Sequence, residues 1–145
     1  TWQNDLAADV KVGDTIWFVL VPPKHTVYDI AAYAEATLTE ASSLTSLAGM
    51  TADLVTAVFN KAAEDGTCVP VAAPTVQASL SFPAGTAPEE VFVTKKLEVT
   101  TTPVQWIGVG LKVTAMPTGS TTLEDIRSKI VVGAHVFGYD AQTHM

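Results

Sequence analysis

Short segments rich in β-branched and aromatic residues recur along the chain, and prolines lie between them. The first segment, Thr15–Val21, ends at Pro22 and Pro23, and its length and composition are typical of a buried strand. Residues 26–36 follow with a period of two, which predicts a half-exposed strand that pairs antiparallel with the first across a short loop. One predicted face carries Tyr28, Ile30, Ala32 and Ala34, and the other carries Asp29, Ala31, Tyr33 and Glu35.

The same pattern continues to the end of the chain. Residues 51–66 fit either a helix or a strand, and the strand-like surroundings favour a strand. A short helix of about two turns is predicted from Thr122, a capping residue followed by acidic side chains. Further strands are predicted at 68–71, 75–82, 91–99, 104–115 and 130–139, with Gly108 and Gly110 allowing close packing in one of them.

This spacing of strands indicates one all-β domain, either a sandwich or a barrel, with at most one or two short helices. The domain is predicted to span residues 10–139, between an N-terminal arm at 1–9 and a C-terminal tail at 140–145. The start of the chain lacks the pattern of a signal peptide, and no apolar run approaches the length of a membrane span.

The chain of 145 residues carries few charges: 16 % of its residues are charged, against about 25 % in typical domains, and its net charge is -7. The acidic balance argues against a nucleic-acid partner. A free domain of this size usually covers its surface with charged side chains, and interface cores are depleted in them. We therefore expect subunits of an assembly to cover part of the exterior, the alternative being a monomer with neutral, threonine-rich faces.

The residues that could carry chemistry form no convincing site. Cys68 is expected to be a small buried residue rather than a reactive thiol. A metal site built from His135, Asp140 and His144 would need convergent ligands, and a histidine satisfied within the sheet is the simpler interpretation of His135. Adjacent acids such as Glu64 and Asp65 fit solvated turns better than catalytic pairs. We expect neither enzymatic activity nor a cofactor.

Five residues remain as candidates for contacts with a partner or for core packing. Trp17 and Trp106 lie in apolar segments and are expected to anchor the core. Trp2 lies in a polar arm, where an aromatic side chain can fill a pocket on a partner. The doubly basic pair Lys95 and Lys96 could meet an acidic partner surface or protect a strand edge. Trp2, Lys95 and Lys96 are therefore the predicted interface residues.

Two stretches resemble small virion proteins of tailed bacteriophages. Residues 12–16 lead through 19–23 into 27–30, which is similar to the opening of those proteins, where a Gly-Asp turn starts a strand that ends at proline. Residues 123–127 and 131–135 are similar to their ending. The nearest class is the capsid cement, or decoration, proteins. The resemblance implies a jelly-roll-like β-sandwich, a homodimer or homotrimer, and no catalytic residues.

The resemblance and the scarcity of charge together predict a structural protein of the virion. Such a protein would lie on the outer capsid surface, bind the major capsid protein and stabilise the assembled shell through many weak contacts. Its partners would be the shell and other copies of itself, without nucleic acid or membrane. The alternative is a ligand-binding β-sandwich module of the carbohydrate-binding type, which would require exposed coplanar aromatic side chains.

Overall fold

The computed structural model describes six stretches of the chain: residues 9–35, 47–59, 70–82, 90–100, 105–117 and 122–138. These residues form seven strands and one short helix. The elements are β1 (Thr15–Val21), β2 (His25–Glu35), β3 (Thr51–Phe59), β4 (Thr75–Ser81), β5 (Glu90–Thr100), β6 (Trp106–Ala115), α1 (Leu123–Lys129) and β7 (Val131–Gly138).

The strands form two antiparallel sheets. The larger sheet has the order β1-β6-β3-β4, and the smaller has the order β5-β2-β7. The sheets contact each other where β4 meets β5 and where β1 and β6 meet β7. The predicted all-β sandwich with a short helix is therefore confirmed, whereas the jelly-roll topology stays a prediction.

The predicted strands agree with the structure except near one proline. Residues 51–59 form a strand, as favoured, and 60–66 lie outside the described residues. The predicted strand at 68–71 is wrong for its described part, because Pro70 and Val71 lie in an irregular segment. Proline has no backbone N–H to donate to a ladder, which explains the interruption.

The predicted pairing of β1 with β2 is also wrong. β1 pairs with β6, and β2 pairs with β5 and β7 in the other sheet. Pro22 and Pro23 have no backbone N–H and cannot donate hydrogen bonds to a neighbouring strand. Lys24 adopts a left-handed conformation with a φ of 64°. This connection therefore passes the chain from one sheet to the other instead of closing a hairpin.

The main core fills the space between the sheets. On β2, Val27 and Ile30 are fully buried, because the register shifts between Val27 and Asp29 against both neighbouring strands. This bulge breaks the predicted alternation, and the Tyr28 ring packs at a tilt of 41° against His135 rather than facing the core with Ile30. The largest fully buried side chains of this core are Ile16, Ile30, Leu47, Met50, Leu54, Leu80, Phe82, Leu111, Ile126 and Ile130.

A second, smaller cluster packs on the opposite face of the larger sheet. Trp17 and Phe59 contact edge to face, with ring centroids 5.1 Å apart, and Trp17 is only 3 % exposed. Both rings lie over Gly108, which has no side chain to occupy that space. The predicted core role of Trp17 is confirmed, while Trp106 is half-buried at the margin of this cluster. The cluster makes β1, β3 and β6 apolar on both faces.

The only arginine of the sequence connects the helix to the edge strand β1. The Nη2 of Arg127 donates a hydrogen bond to the Trp17 carbonyl at 3.1 Å, and its guanidinium lies 5.5 Å from the centre of the Phe18 ring. The contact falls where the β1–β6 register shifts between Trp17 and Val19. Arg127 thus supplies a donor to a carbonyl at the bulge and covers this edge of the sheet.

We expect Arg127→Met to lower the free energy of unfolding by about 1–3 kcal/mol, because it removes a charged hydrogen bond and a cation–π contact. Urea denaturation followed by tryptophan fluorescence measures the loss. Lys112→Met is the control, since Lys112 is exposed and should change stability by no more than about 0.5 kcal/mol. Equal effects of the two variants would contradict this role for Arg127.

Candidate interaction surfaces

The outer face of the smaller sheet carries an exposed row of large apolar side chains. Tyr33 on β2 is in register with Phe92 on β5 and with Val131 on β7. Phe92 is 55 % exposed and Val131 is 60 % exposed, and the Tyr33 and Phe92 rings are 5.9 Å apart. We call these three residues the aromatic row. Single exposed apolar residues are common, but an adjacent group of them marks a binding surface.

A polar row crosses the same face at Asp29, which lies four residues before Tyr33 on β2 and about 13 Å from it. Asp29 is in register with Lys96 on β5 and His135 on β7. The Nδ1 atom of His135 lies 3.5 Å from Asp29 Oδ2, and the Tyr28 ring lies 5.4 Å from the His135 ring. The polar row is therefore flanked by apolar side chains on this face, with the aromatic row on one side and Phe137, which is 40 % exposed, two residues beyond His135 on the other.

The predicted interface residues have different outcomes. Lys96 belongs to the polar row, although its Nζ atom pairs with Glu98 of its own strand at 3.1 Å. Lys95 is exposed on the same edge strand. Because side chains alternate along a strand, it lies on the opposite face of the smaller sheet from Lys96. Trp2 lies outside the described residues. Sequence reasoning missed the aromatic row, although the alternation of Phe92 with Val91 and Val93 marked it as outward-facing.

Four aromatic side chains within the described residues do not provide a flat platform for a sugar. Trp17 is buried, and Trp106 is half-buried beside it. On the outer face of the smaller sheet, the planes of Tyr33 and Phe92 are inclined at 72° to each other. Two coplanar exposed rings, which the carbohydrate-binding alternative requires, do not occur at these four positions.

A second surface lies along β4, which pairs on one side only within the described residues. Residues 70–82 contain no ionisable side chain, and we call them the uncharged edge. Val71 and Val76 are 51 % and 54 % exposed there. The N–H of Val71 donates a hydrogen bond to the Val58 carbonyl at 2.9 Å. This bond continues the pairing of β3 with β4 on the N-terminal side of β4.

An apolar hollow opens beside the uncharged edge. Its volume is about 200 Å³, and two threonines are the only polar side chains in its lining. Its apolar walls are formed by Val58, Val71, Ala72, Ala73 and Ile107. Alternation and register place Val76 on the other face of β4, opposite Val55, so the edge is apolar on both faces.

Each of the other sheet edges carries a charged side chain or a histidine, although β7 also exposes Val131 and Phe137. On β5, Lys95 and Lys96 are exposed and Glu98 is left-handed, with a φ of 53°. On β1, Arg127 covers the bulge, and β7 carries the exposed His135. Charges, bulges and covering side chains are the usual means by which proteins prevent unwanted edge pairing. The uncharged edge has a bulge at Gln77 and no charge among its own residues, and its Ser79 donates a hydrogen bond to the Asp53 carboxylate of β3 at 2.8 Å.

Within the described residues, no three histidine, cysteine, aspartate or glutamate side chains converge as metal ligands. His25 is used locally, because its Nδ1 hydrogen-bonds the Pro23 carbonyl at 2.8 Å. Cys68, Asp140 and His144 lie outside the described residues, so the predictions made for them stay predictions. In the same described part of the chain, no helix has the length and apolar character needed to cross a membrane.

Comparisons with family models, with curated proteins and with solved structures give no match to this chain. Two surfaces of the molecule itself are the candidate binding sites. One is a sheet face with an apolar row and a polar row, and the other is an uncharged edge beside an apolar hollow.

Proposed function

We propose that this protein is a non-enzymatic structural component of a tailed-phage virion. It binds the outer surface of the assembled major capsid shell and stabilises that shell. The observation that carries the proposal is the aromatic row, Tyr33, Phe92 and Val131, exposed on the outer face of the smaller sheet. The resemblance of residues 12–16, 19–23, 27–30, 123–127 and 131–135 to phage cement proteins supports the identity of the partner.

The size of this face supports binding to a repeated lattice rather than to a single free partner. Three strands about 4.8 Å apart and about eight residues of β2 give a projected area of about 350 Å². A stable binary complex usually buries about 800 Å² on each partner. One face of this size binds weakly, but many copies on a shell add their contacts to the stability of the whole particle.

The aromatic row supplies the affinity of each contact, and the polar row adds charged groups to it. Burying a phenylalanine or valine side chain contributes about 1.5–3 kcal/mol when the burial is complete, and these side chains are already half-buried. The row as a whole is therefore worth about 3 kcal/mol. Lys96 and His135 lie where an acidic group of the shell could meet them, on either side of Asp29.

We expect Val131→Lys to weaken shell binding at least about ten-fold, because a lysine ammonium would have to be desolvated in the contact. The variant should fold normally, since Val131 is largely exposed. Purified shells of the phage that encodes this chain, stripped of the protein, are pelleted with increasing amounts of each variant, and the bound fraction is measured.

Val12→Lys is the matched control for this assay. Val12 is 61 % exposed, like Val131, but lies in the turn before β1 and away from the outer face of the smaller sheet. It should bind shells as the unmodified protein does. Equal binding by the two lysine variants, or absence of the chain from purified virions by mass spectrometry, would refute the proposal.

A further inference from the structure

We propose that His135 makes shell binding pH-dependent, so that docking strengthens when His135 is protonated. This regulation rests on the proposed function and concerns the same surface, the outer face of the smaller sheet. Histidine is the side chain whose charge ordinarily changes between about pH 5 and 8, so mild acid adds a cation to the polar row. The Asp29 carboxylate, which lies beside His135, is the group that this cation compensates.

Irregularities in two strand pairings meet at the polar row. The pairings of β2 with β5 and with β7 both shift register between Val27 and Asp29. On β5, Glu98 has a left-handed conformation with a φ of 53°, which residues with a side chain rarely adopt. On β2, the Tyr28 ring packs against the His135 ring, with 5.4 Å between the ring centres. Bulges and unusual backbone conformations are frequent at functional sites, so their concentration here marks the polar row as a functional part of this face.

The ion pairs of the polar row leave one carboxylate without a permanent counter-charge. The Nζ atom of Lys96 pairs with Glu98 at 3.1 Å. Among the described residues, the ion-pair partner of Asp29 is His135, with 3.5 Å between Oδ2 and Nδ1. When His135 is neutral, two carboxylates therefore accompany one ammonium group. When His135 is protonated, the charges of these four side chains balance.

Within the described residues, the other elements around β7 bring no second charge to His135. β1 and β6 contact β7, but β1 has no ionisable side chain. Lys112 is the only ionisable residue of β6, and it alternates with the buried Leu111 and Val113, which places it on the outer face of the larger sheet. Tyr28 carries a phenol, and phenols stay uncharged over this range of pH. The charge of the polar row therefore changes with pH through His135.

Docking makes the contact between His135 and Asp29 matter more than it does in the free protein. Their side chains are 71 % and 45 % exposed, and an exposed ion pair contributes little. The polar row lies between the aromatic row and Phe137, so a partner that covers these apolar groups also removes water from the charges between them. Removing water from an uncompensated carboxylate costs more than removing it from a paired one. Protonation of His135 therefore favours the docked state, and by linkage the affinity for the shell rises as the pH falls.

Pelleting of stripped shells at about pH 5.5 and about pH 7.5 tests this dependence. The unmodified chain should bind about three- to ten-fold more tightly at the lower pH. His135→Gln stays neutral, so its affinity should change by less than about two-fold between the two pH values. Asp29→Asn removes the carboxylate that needs compensation. It should bind at about pH 7.5 as tightly as the unmodified chain does at about pH 5.5, and its own pH effect should be less than about two-fold.

His25→Gln is the matched control. Alternation places His25 on the inner face of β2 with Val27, away from the polar row, so this variant should keep the full pH effect. Any titration of the shell itself affects all variants equally, and thermal unfolding at both pH values verifies that each variant is folded. Binding without a pH effect in the unmodified chain, or a pH effect that persists in His135→Gln or Asp29→Asn, overturns the regulation and leaves the proposed function standing. Absence of binding at both pH values overturns the proposed function and the regulation with it.

Discussion

Replacing Gly110 by alanine is expected to lower the free energy of unfolding by about 3 kcal/mol, near the upper end of the cost of overpacking a core. A Cβ atom at Gly110 would overlap the carbonyl oxygen of Ile16 and lie 2.9 Å from Cε3 of Trp17. Trp17 is in register with Gly110 across β1 and β6. Because the nearest obstacle is backbone, relief would require β1 to move away from β6.

Gly133→Ala is the control for this substitution. Gly133 also lies within a strand, but a Cβ atom there would meet nothing within 4 Å. Alanine should leave stability unchanged or raise it by up to about 1 kcal/mol, because it reduces the freedom of the unfolded chain. Urea denaturation of both variants measures the difference. If Gly110→Ala is as stable as Gly133→Ala, the close approach of β1 and β6 at Gly110 is wrong.

Phe59→Ala is expected to lower the free energy of unfolding by about 3–5 kcal/mol, the usual cost of truncating a buried phenylalanine. Phe59 is fully buried, packs edge to face against Trp17 and lies over Gly108. The variant should also shift the tryptophan fluorescence, because the environment of Trp17 changes.

A double-mutant cycle with Gly108→Ala separates this packing from a general loss of stability. A Cβ atom at Gly108 would overlap the Phe59 ring and lie 3.2 Å from Cε3 of Trp17. Gly108→Ala alone should therefore destabilise the protein, and the same change should cost less once Phe59 is alanine. We expect a coupling of at least about 1 kcal/mol between the two sites. Strictly additive losses would show that the two residues do not share this space.

The features of the fold that could be predicted from the sequence are those set by residues close together in the chain. Prolines and turn residues bound the strands, the period of two identified β2, and Gly108 and Gly110 indicated close packing. The bulge after Val27 could not be predicted, because Tyr28 continues the alternation of apolar residues in the sequence although the structure buries Val27 instead. The aromatic row was missed for another reason: Tyr33, Phe92 and Val131 come from distant segments, and only the register of three strands brings them together.

The pairing of β1 with β6 has a consequence for how the chain folds. Val21 ends β1 about 85 positions before Trp106 begins β6. The strands that pair with β2, which are β5 and β7, also come much later in the chain. At synthesis rates of about 5–20 residues per second, β1 leaves the ribosome about 4–17 s before the strand that covers its backbone. Acquisition of the native state is therefore largely post-translational, and chaperones that hold apolar nascent segments should raise the yield of correctly folded protein.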